Sequence, residues 1–365
     1  MKYSLEILII LIFLFTIGIQ EKAEAFSRPD TIYQIFQFPQ NQIPRIDGNF
    51  LDWAIVPDSF SIGLDQLKET VVGKGFNIDP KDYDIEVKVG WVKGLNRLYF
   101  YIEAYDDCWD FQDTKLRQDI FELVVDADVS GGNFINNSNS NKNVVPVNEL
   151  YFRGHGSHAQ NYHIFTPVQN KDWAMVWGNT PWIKNFPYAN VAYDYNFHPG
   201  ESGKLKMEFW ITPFDYAAVE GIDRSVVSNL KENEIIGLSW CIIEFDTNQE
   251  KVKAFMNLAH DTRMIRNGDY LNAFRLNPVL TELLPKIEAN WSCLEVDRKL
   301  RMFQFFDKSI GDIKRWHWDF GDGKISNKQH PQHQYKTTGE WTVILTVESE
   351  TDKSVRSKVW EVVTK

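Results

Sequence analysis

The sequence predicts an all-β protein built as two β-sandwich domains: a larger, jelly-roll-like sandwich over residues 26–285 and a small immunoglobulin-like sandwich over residues 286–365. Three observations carry that prediction. Apolar and polar residues alternate over short runs, as in Ile85, Val87, Val89 and Trp91 against Glu86, Lys88 and Gly90, the period of a strand with one buried face. Turn-forming residues separate these runs, as in Lys93-Gly-Leu-Asn96. Almost no stretch sustains a helical period, which leaves stacked sheets as the way to bury the apolar faces.

Residues 1–25 read as an export signal. Lys2 precedes an apolar run from Ile7 to Ile19, and Ala23-Glu24-Ala25 supplies a cleavage site. The run is too short for a membrane span. The protein is therefore expected to be secreted or held at the cell surface, with no membrane span after cleavage.

Arg45-Ile-Asp-Gly-Asn-Phe-Leu-Asp-Trp53 opens the folded body with a turn and an aromatic anchor. Strands are expected over 84–92 and 97–104, joined by a hairpin turn, then over 120–126, 149–153, 204–211, 235–245, 252–258 and 270–276. Residues 160–200, punctuated by Pro167, Pro181, Pro187 and Pro199, read as irregular. Thr212-Pro-Phe-Asp is expected to lead into a short helix around Tyr216. The pattern breaks near Pro278–Glu288, where the second domain starts, with strands over 291–296, 302–306, 313–320, 341–348 and 355–363.

Charge divides the chain in the same place. Residues 26–285 hold 23 Lys+Arg against 35 Asp+Glu, while residues 286–365 hold 14 against 12. An acidic body argues against nucleic acid and anionic membranes as partners. It suits neutral ligands and divalent cations. Three cysteines, Cys108, Cys241 and Cys293, allow at most one bridge. Cys241 lies in an apolar run and reads as a buried thiol.

The stretch from Asp119 to Gly132 organises the larger domain. Phe121, Leu123 and Val125 alternate with Ile120, Glu122 and Val124, so a core strand carries one carboxylate on an otherwise apolar face. It exits into Asp126, Asp128, Ser130 and a Gly-Gly pair. These oxygen donors resemble the start of a calcium loop, although Asn137 stands where an EF-hand needs its closing acid. A structural calcium held by Asp126, Asp128 and Ser130 is one expectation, and an ordinary Asx turn is the other.

Two family resemblances follow from particular motifs. Trp316-His-Trp-Asp-Phe-Gly-Asp-Gly323, His330-Pro-Gln-His-Gln-Tyr335 and Gly339-Glu-Trp-Thr-Val-Ile-Leu-Thr-Val347 resemble a PKD (polycystic kidney disease) domain over essentially all of 286–365. Trp316 and Trp318 share a strand face, Asp319 and Asp322 can bond turn amides, and Tyr335 is placed to fill the inter-sheet core. All read as structural. The larger domain resembles the family 9 carbohydrate-binding modules over about residues 43–277. That rests on Ile46-Asp-Gly…Trp53, Leu98-Tyr-Phe-Tyr-Ile…Asp107, Asp119-x-x-Glu122…Asp126, Lys206-Met-Glu208…Pro213 and Gly237…Phe245.

The second resemblance implies a sheet face that binds a polysaccharide or oligosaccharide, with Glu122 and Arg153 bonding its hydroxyls. A carboxylate accepts and a guanidinium donates in that role. The family's ring-sandwiching tryptophans are replaced: Leu116 stands at one position, and the other falls around Ile265. Trp173, Trp177 and Trp182 are the candidates to supply a stacking surface instead, since indole faces pack on the C–H faces of sugars. Cell-surface proteins are the alternative partner, if the sandwich serves adhesion without a sugar site.

Other chemistry finds little footing. His155, His158 and His163 cluster in sequence but lack a metal-binding spacing. The chain has no Gly-x-Ser-x-Gly, His-Glu-x-x-His or phosphate-cradling loop. Glycoside hydrolysis, whose two carboxylates are set in three dimensions, is the enzyme class left open. Asp119 and Glu122 would be the first pair, yet residues three apart on a strand face opposite ways. The expected function is thus a non-catalytic carbohydrate-binding protein with a PKD spacer.

Overall fold

The computed structural model describes residues 26–363 apart from 41, 113–115, 135–155, 247–250 and 284–285. The expected signal, residues 1–25, and the expected strand over 149–153 therefore lie outside the described residues. No described helix is long and apolar enough to cross a membrane. The chain divides into two compact units, the first ending at Val279 and the second beginning at Leu280.

The first unit is a two-sheet sandwich. Its strands are β1 (Ile32–Gln37), β2 (Ser61–Gly63), β3 (Lys68–Glu69), β4 (Tyr83–Trp91), β5 (Leu98–Asp106), β6 (Ile120–Asp126), β7 (Gln160–Phe165), β8 (Ala174–Val176), β9 (Ala189–Asp194), β10 (Gly203–Ile211), β11 (Phe214–Tyr216), β12 (Val226–Val227), β13 (Ile235–Glu244), β14 (Ala254–Asn257) and β15 (Asn272–Leu276). One sheet runs β8-β7-β6-β13-β15-β1 and the other β1-β4-β5-β10-β9. β1 joins them: its first four residues pair parallel with β15 and its last two pair parallel with β4.

Inward residues of both sheets build one core. Val87, Val89 and Trp91 of β4 meet Phe121, Leu123 and Trp240 there, all with essentially no exposure. The β6–β13 sheet also buries part of its outer face. Val124, Cys241, Phe255, Met264 and Leu271 form a second, smaller core on that side. Both faces of β6 are thus covered, which is why all seven of its residues are buried. On the other sheet, Phe38 lies so close over Gly90 that a Cβ there would come within 2.2 Å of its ring. Glycine is required at that crossing.

Two expectations are corrected. Residues 160–200 are not irregular, since they carry β7, β8 and β9. The prolines sit outside these strands, where missing amide donors cost nothing. Around Tyr216 there is no helix; Phe214–Tyr216 pairs with Val226–Val227 as a short antiparallel ribbon.

The second unit comprises β16 (Trp291–Asp297), β17 (Met302–Asp307), β18 (Arg315–Asp319), β19 (Ile325–Ser326), β20 (Gln332–Gln334), β21 (Gly339–Glu348) and β22 (Lys353–Val362). Sheets β16-β17-β20 and β19-β18-β21-β22 enclose Trp291, Phe305, Trp318, Tyr335 and Leu345. Tyr335 donates its hydroxyl to the Phe320 carbonyl at 3.1 Å. Asp319 accepts the Gly321 amide at 2.9 Å, and Asp322 accepts that of Lys324 at 3.1 Å. The motif residues of this unit hold its own turns and core.

Candidate functional site

On β6, Phe121, Leu123 and Val125 point into the inter-sheet core, so Glu122 points the other way. β7 lies alongside, with His163 directly opposite Glu122 and Asn161 opposite Val124. Asn161 Nδ2 donates to Glu122 Oε1 at 2.9 Å, and His163 Nδ1 lies 3.2 Å from Oε2. Asn161 Nδ2 also reaches the Ile265 carbonyl at 3.3 Å. Glu122, Asn161 and His163 are 3 %, 0 % and 3 % exposed.

Rings and a thiol surround this cluster. His163 meets Trp177 edge-on at 5.9 Å and Phe165 at 5.8 Å. The Lys171 ammonium stands 4.1 Å from the Phe165 ring centre. Cys241 lies across from Glu122 on β13, and burial, together with the Glu122 charge, pushes its thiol well above the ordinary range. Cys108, Cys241 and Cys293 are all free thiols.

Asn161 Oδ1 and His163 Nε2 are buried and have no hydrogen-bond partner among the described residues. Buried polar atoms normally find partners, because leaving one unpaired costs about 1–3 kcal/mol. A carboxylate, two unspent hydrogen-bonding atoms and adjacent ring faces form a seat suited to a neutral, hydroxyl-bearing group.

Of the residues singled out from sequence, Glu122 and Trp177 are brought to this seat. Trp177 is half-buried, and its backbone N–H donates to the Asn161 carbonyl at 3.0 Å. Trp173 and Trp182 lie elsewhere, packed against the inter-sheet core. The Trp173 indole N–H donates to the Lys184 carbonyl at 3.0 Å, and that of Trp182 to the Ala218 carbonyl at 2.9 Å. Trp182 is further wedged edge-on between Tyr188 and Phe214. Arg153 and His155 lie outside the described residues. Leu116 is 42 % exposed, and Ile265 packs on the smaller core.

Asn161 and His163 were not linked to Glu122 from sequence. The signal was present: Gln160-Asn-Tyr-His-Ile-Phe165 alternates Tyr162 and Ile164, both in the core, with Asn161 and His163. Recognising β7 as a strand would have put both polar side chains on one face.

The loop after β6 closes on itself. Asp126 accepts the amides of Ser130 at 3.2 Å and Gly131 at 2.8 Å, and Asp128 accepts that of Ser130 at 3.1 Å. Gly132 donates to Asp269 at 2.9 Å. Burial, with Asp128 close by, raises Asp126 to about 7. These are the contacts of an Asx turn. Asp126 and Asp128 thus share the Ser130 amide, and the Ser130 hydroxyl donates to Asp126 at 3.4 Å. Among the described residues no group of three His, Cys, Asp or Glu side chains is arranged to hold a metal. His158 stands apart from His163, against Phe134 at 5.9 Å.

The two units define a modular all-β protein, a sandwich with a buried polar seat followed by an immunoglobulin-like module. Residues 295–363 match the family model of the PKD domain. A 37-residue stretch, 10 % of this chain, is 54 % identical to collagenase ColA of Clostridium perfringens (strain 13 / Type A) and spans 3 % of its length. Among solved structures, the chain is similar to a carbohydrate binding module family 9 protein from Caldicellulosiruptor kristjanssonii in complex with cellotriose. That likeness has a TM-score of 0.44 and 13 % identity, covering 70 % of this chain and 97 % of the other. It is also similar to the PKD1 domain of Vibrio anguillarum Epp, with a TM-score of 0.20 and 25 % identity over 22 % of this chain and 95 % of that one.

Proposed function

We propose that this is an exported, non-catalytic carbohydrate-binding protein, with the PKD domain as a spacer or interaction module. The observation that carries the reading is the Glu122 seat. Asn161 and His163 orient its carboxylate, and each leaves one buried atom unpartnered among the described residues. A sugar hydroxyl donates to one such atom and accepts from a donor beside it, and the Trp177 edge offers apolar contact. The order of motifs shared with family 9 modules supports the same ligand class.

A second reading, adhesion through cell-surface proteins without a sugar site, draws on a different observation. Glu122 is 3 % exposed, and Trp173 and Trp182 serve the core. A printed glycan array probed with the full chain and with Glu122→Gln separates the two. Glycan binding that weakens in the variant supports the sugar seat. An array with no hits favours adhesion, and a variant that binds glycans as the parent does removes the Glu122 seat while leaving sugar binding elsewhere on the chain.

A further inference from the structure

On the other sheet, the outward face of β4, β5 and β10 carries an open groove of ≈ 790 Å³, within the size range of ligand pockets. Its floor is set by strand register. Asp84 lies opposite Tyr105, which lies opposite Lys204, and Glu86 lies opposite Glu103. The walls come from segments near Leu64 and Ile78, both packed against the inter-sheet core, so they are rooted rather than loose. Phe76 stands at the rim with 60 % of its surface exposed and its ring held edge-on by His260 at 5.1 Å.

Like charges opposite one another weaken a sheet, and the pair Glu86–Glu103 is compensated locally. Lys204 lies 3.1 Å and Lys206 3.4 Å from Glu103, while Lys88 lies 3.4 Å from Glu86. The Ser61 hydroxyl donates to Glu86 at 2.7 Å. Ammonium and carboxylate groups are interleaved here, but the lining itself, with Asp65, Asp84, Glu86 and Glu103 against Lys204, is acidic like the rest of the domain. Such a lining repels a polyanion. Its carboxylates, the Lys204 ammonium and the Ser61 hydroxyl are groups that bond sugar hydroxyls, and two aromatic rings, Tyr105 and Phe76, line the same groove.

We propose that this groove is a second carbohydrate-binding site, taking a neutral oligosaccharide on the side of the sandwich opposite the Glu122 seat. One domain would then engage two glycan chains at once, and two weak sites on one body gain avidity on a polymeric surface.

The test uses the full chain, with Glu122→Gln, Phe76→Ala and the double variant, on an array of neutral glucan, xylan, mannan and galactan oligosaccharides, followed by calorimetric titration of the best binder. Phe76 is exposed, so its loss should leave the melting temperature unchanged. The expected result is residual binding in Glu122→Gln that falls about tenfold or more in the double variant, as loss of an aromatic anchor does. Binding abolished by Phe76→Ala yet untouched by Glu122→Gln would uphold the groove and remove the seat. If Glu122→Gln alone abolishes all binding, the groove proposal is overturned while the seat stands. A parent chain that binds no oligosaccharide overturns both.

Discussion

Glu208 Oε2 accepts the indole N–H of Trp53 at 3.2 Å, across 155 positions of sequence. The other oxygen accepts the amides of Asp47 and Gly48 at 3.0 and 2.8 Å. One buried carboxylate on β10 thus ties the opening segment of the domain to the outer face of a sheet. Two motifs that appear unrelated in sequence, Ile46-Asp-Gly…Trp53 and Lys206-Met-Glu208, are halves of one fastening.

Replacing Glu208 with Ala leaves two amides and an indole N–H without their acceptor. We expect a loss of about 2–4 kcal/mol in urea unfolding of the first unit. Glu208→Gln, which keeps an acceptor oxygen, should lose markedly less. Equal losses for both variants would mean that the charge, rather than the hydrogen bonding, does the fastening.

Lys253 serves a group of acids. Its Nζ lies 2.6 Å from Asp82, 2.9 Å from Asp246, 3.1 Å from Glu244 and 3.5 Å from Asp107. Among the described residues Glu244, 1 % exposed, takes no hydrogen bond at either oxygen, so in its charged form, above about pH 8, Lys253 is its ion-pair partner. At about pH 9, where Glu244 is charged, Lys253→Met should cost ~3 kcal/mol, the low end for a broken buried pair because Asp82 and Asp246 still reach solvent. Adding Glu244→Gln should recover part of the loss, and a double variant no better than the single would refute this assignment.

Glu244 and a further buried acid, Asp106, set a pH dependence. Burial is the leading cause that raises Glu244 to about 8 and Asp106 to about 7, against unfolded values of ~4.3 and ~3.9. The folded state therefore binds more protons than the unfolded one up to about pH 8, and stability falls as pH rises. Burial also lowers His158 and His260, which opposes this below their ordinary value. Thermal melts between pH 7 and 8.5 should accordingly show a falling midpoint, and a flat or rising profile would contradict the shifts.

The three tryptophans should separate by phenotype. Trp173→Ala and Trp182→Ala remove core-packed rings and should cost ~3–5 kcal/mol of stability. Trp177→Ala should spare stability more and weaken glycan binding. Denaturant melts alongside array binding would show whether that division holds.

The second unit has its own core, with Trp318, Phe305 and Tyr335 fully buried. A fragment of residues 280–365 should therefore unfold cooperatively in a thermal scan. A fragment that shows no cooperative transition would place part of its core elsewhere in the chain.

Much was legible in the sequence because local chemistry decides it. Alternation marked β4, β6 and β10, since a strand's faces repeat every second residue, while a hairpin turn marked β5 and an apolar run marked β13. The Trp-x-Trp-Asp-Phe-Gly-Asp-Gly run revealed the second unit because its aspartates and glycines act within their own turns. Glu122 stood out as a carboxylate in the middle of an apolar strand. Tertiary structure decided what depends on partners distant in sequence. β1 became the strand shared by both sheets only through parallel pairing with β15 and β4. Asn161 and His163 reached Glu122 because β7 docks beside β6 in one register, and a shift of one residue would have turned them into the core. Trp173, Trp177 and Trp182 share a composition and a neighbourhood in sequence. Strand direction and the packing of Phe209 and Phe214 decided which of them joined the core and which came to the seat.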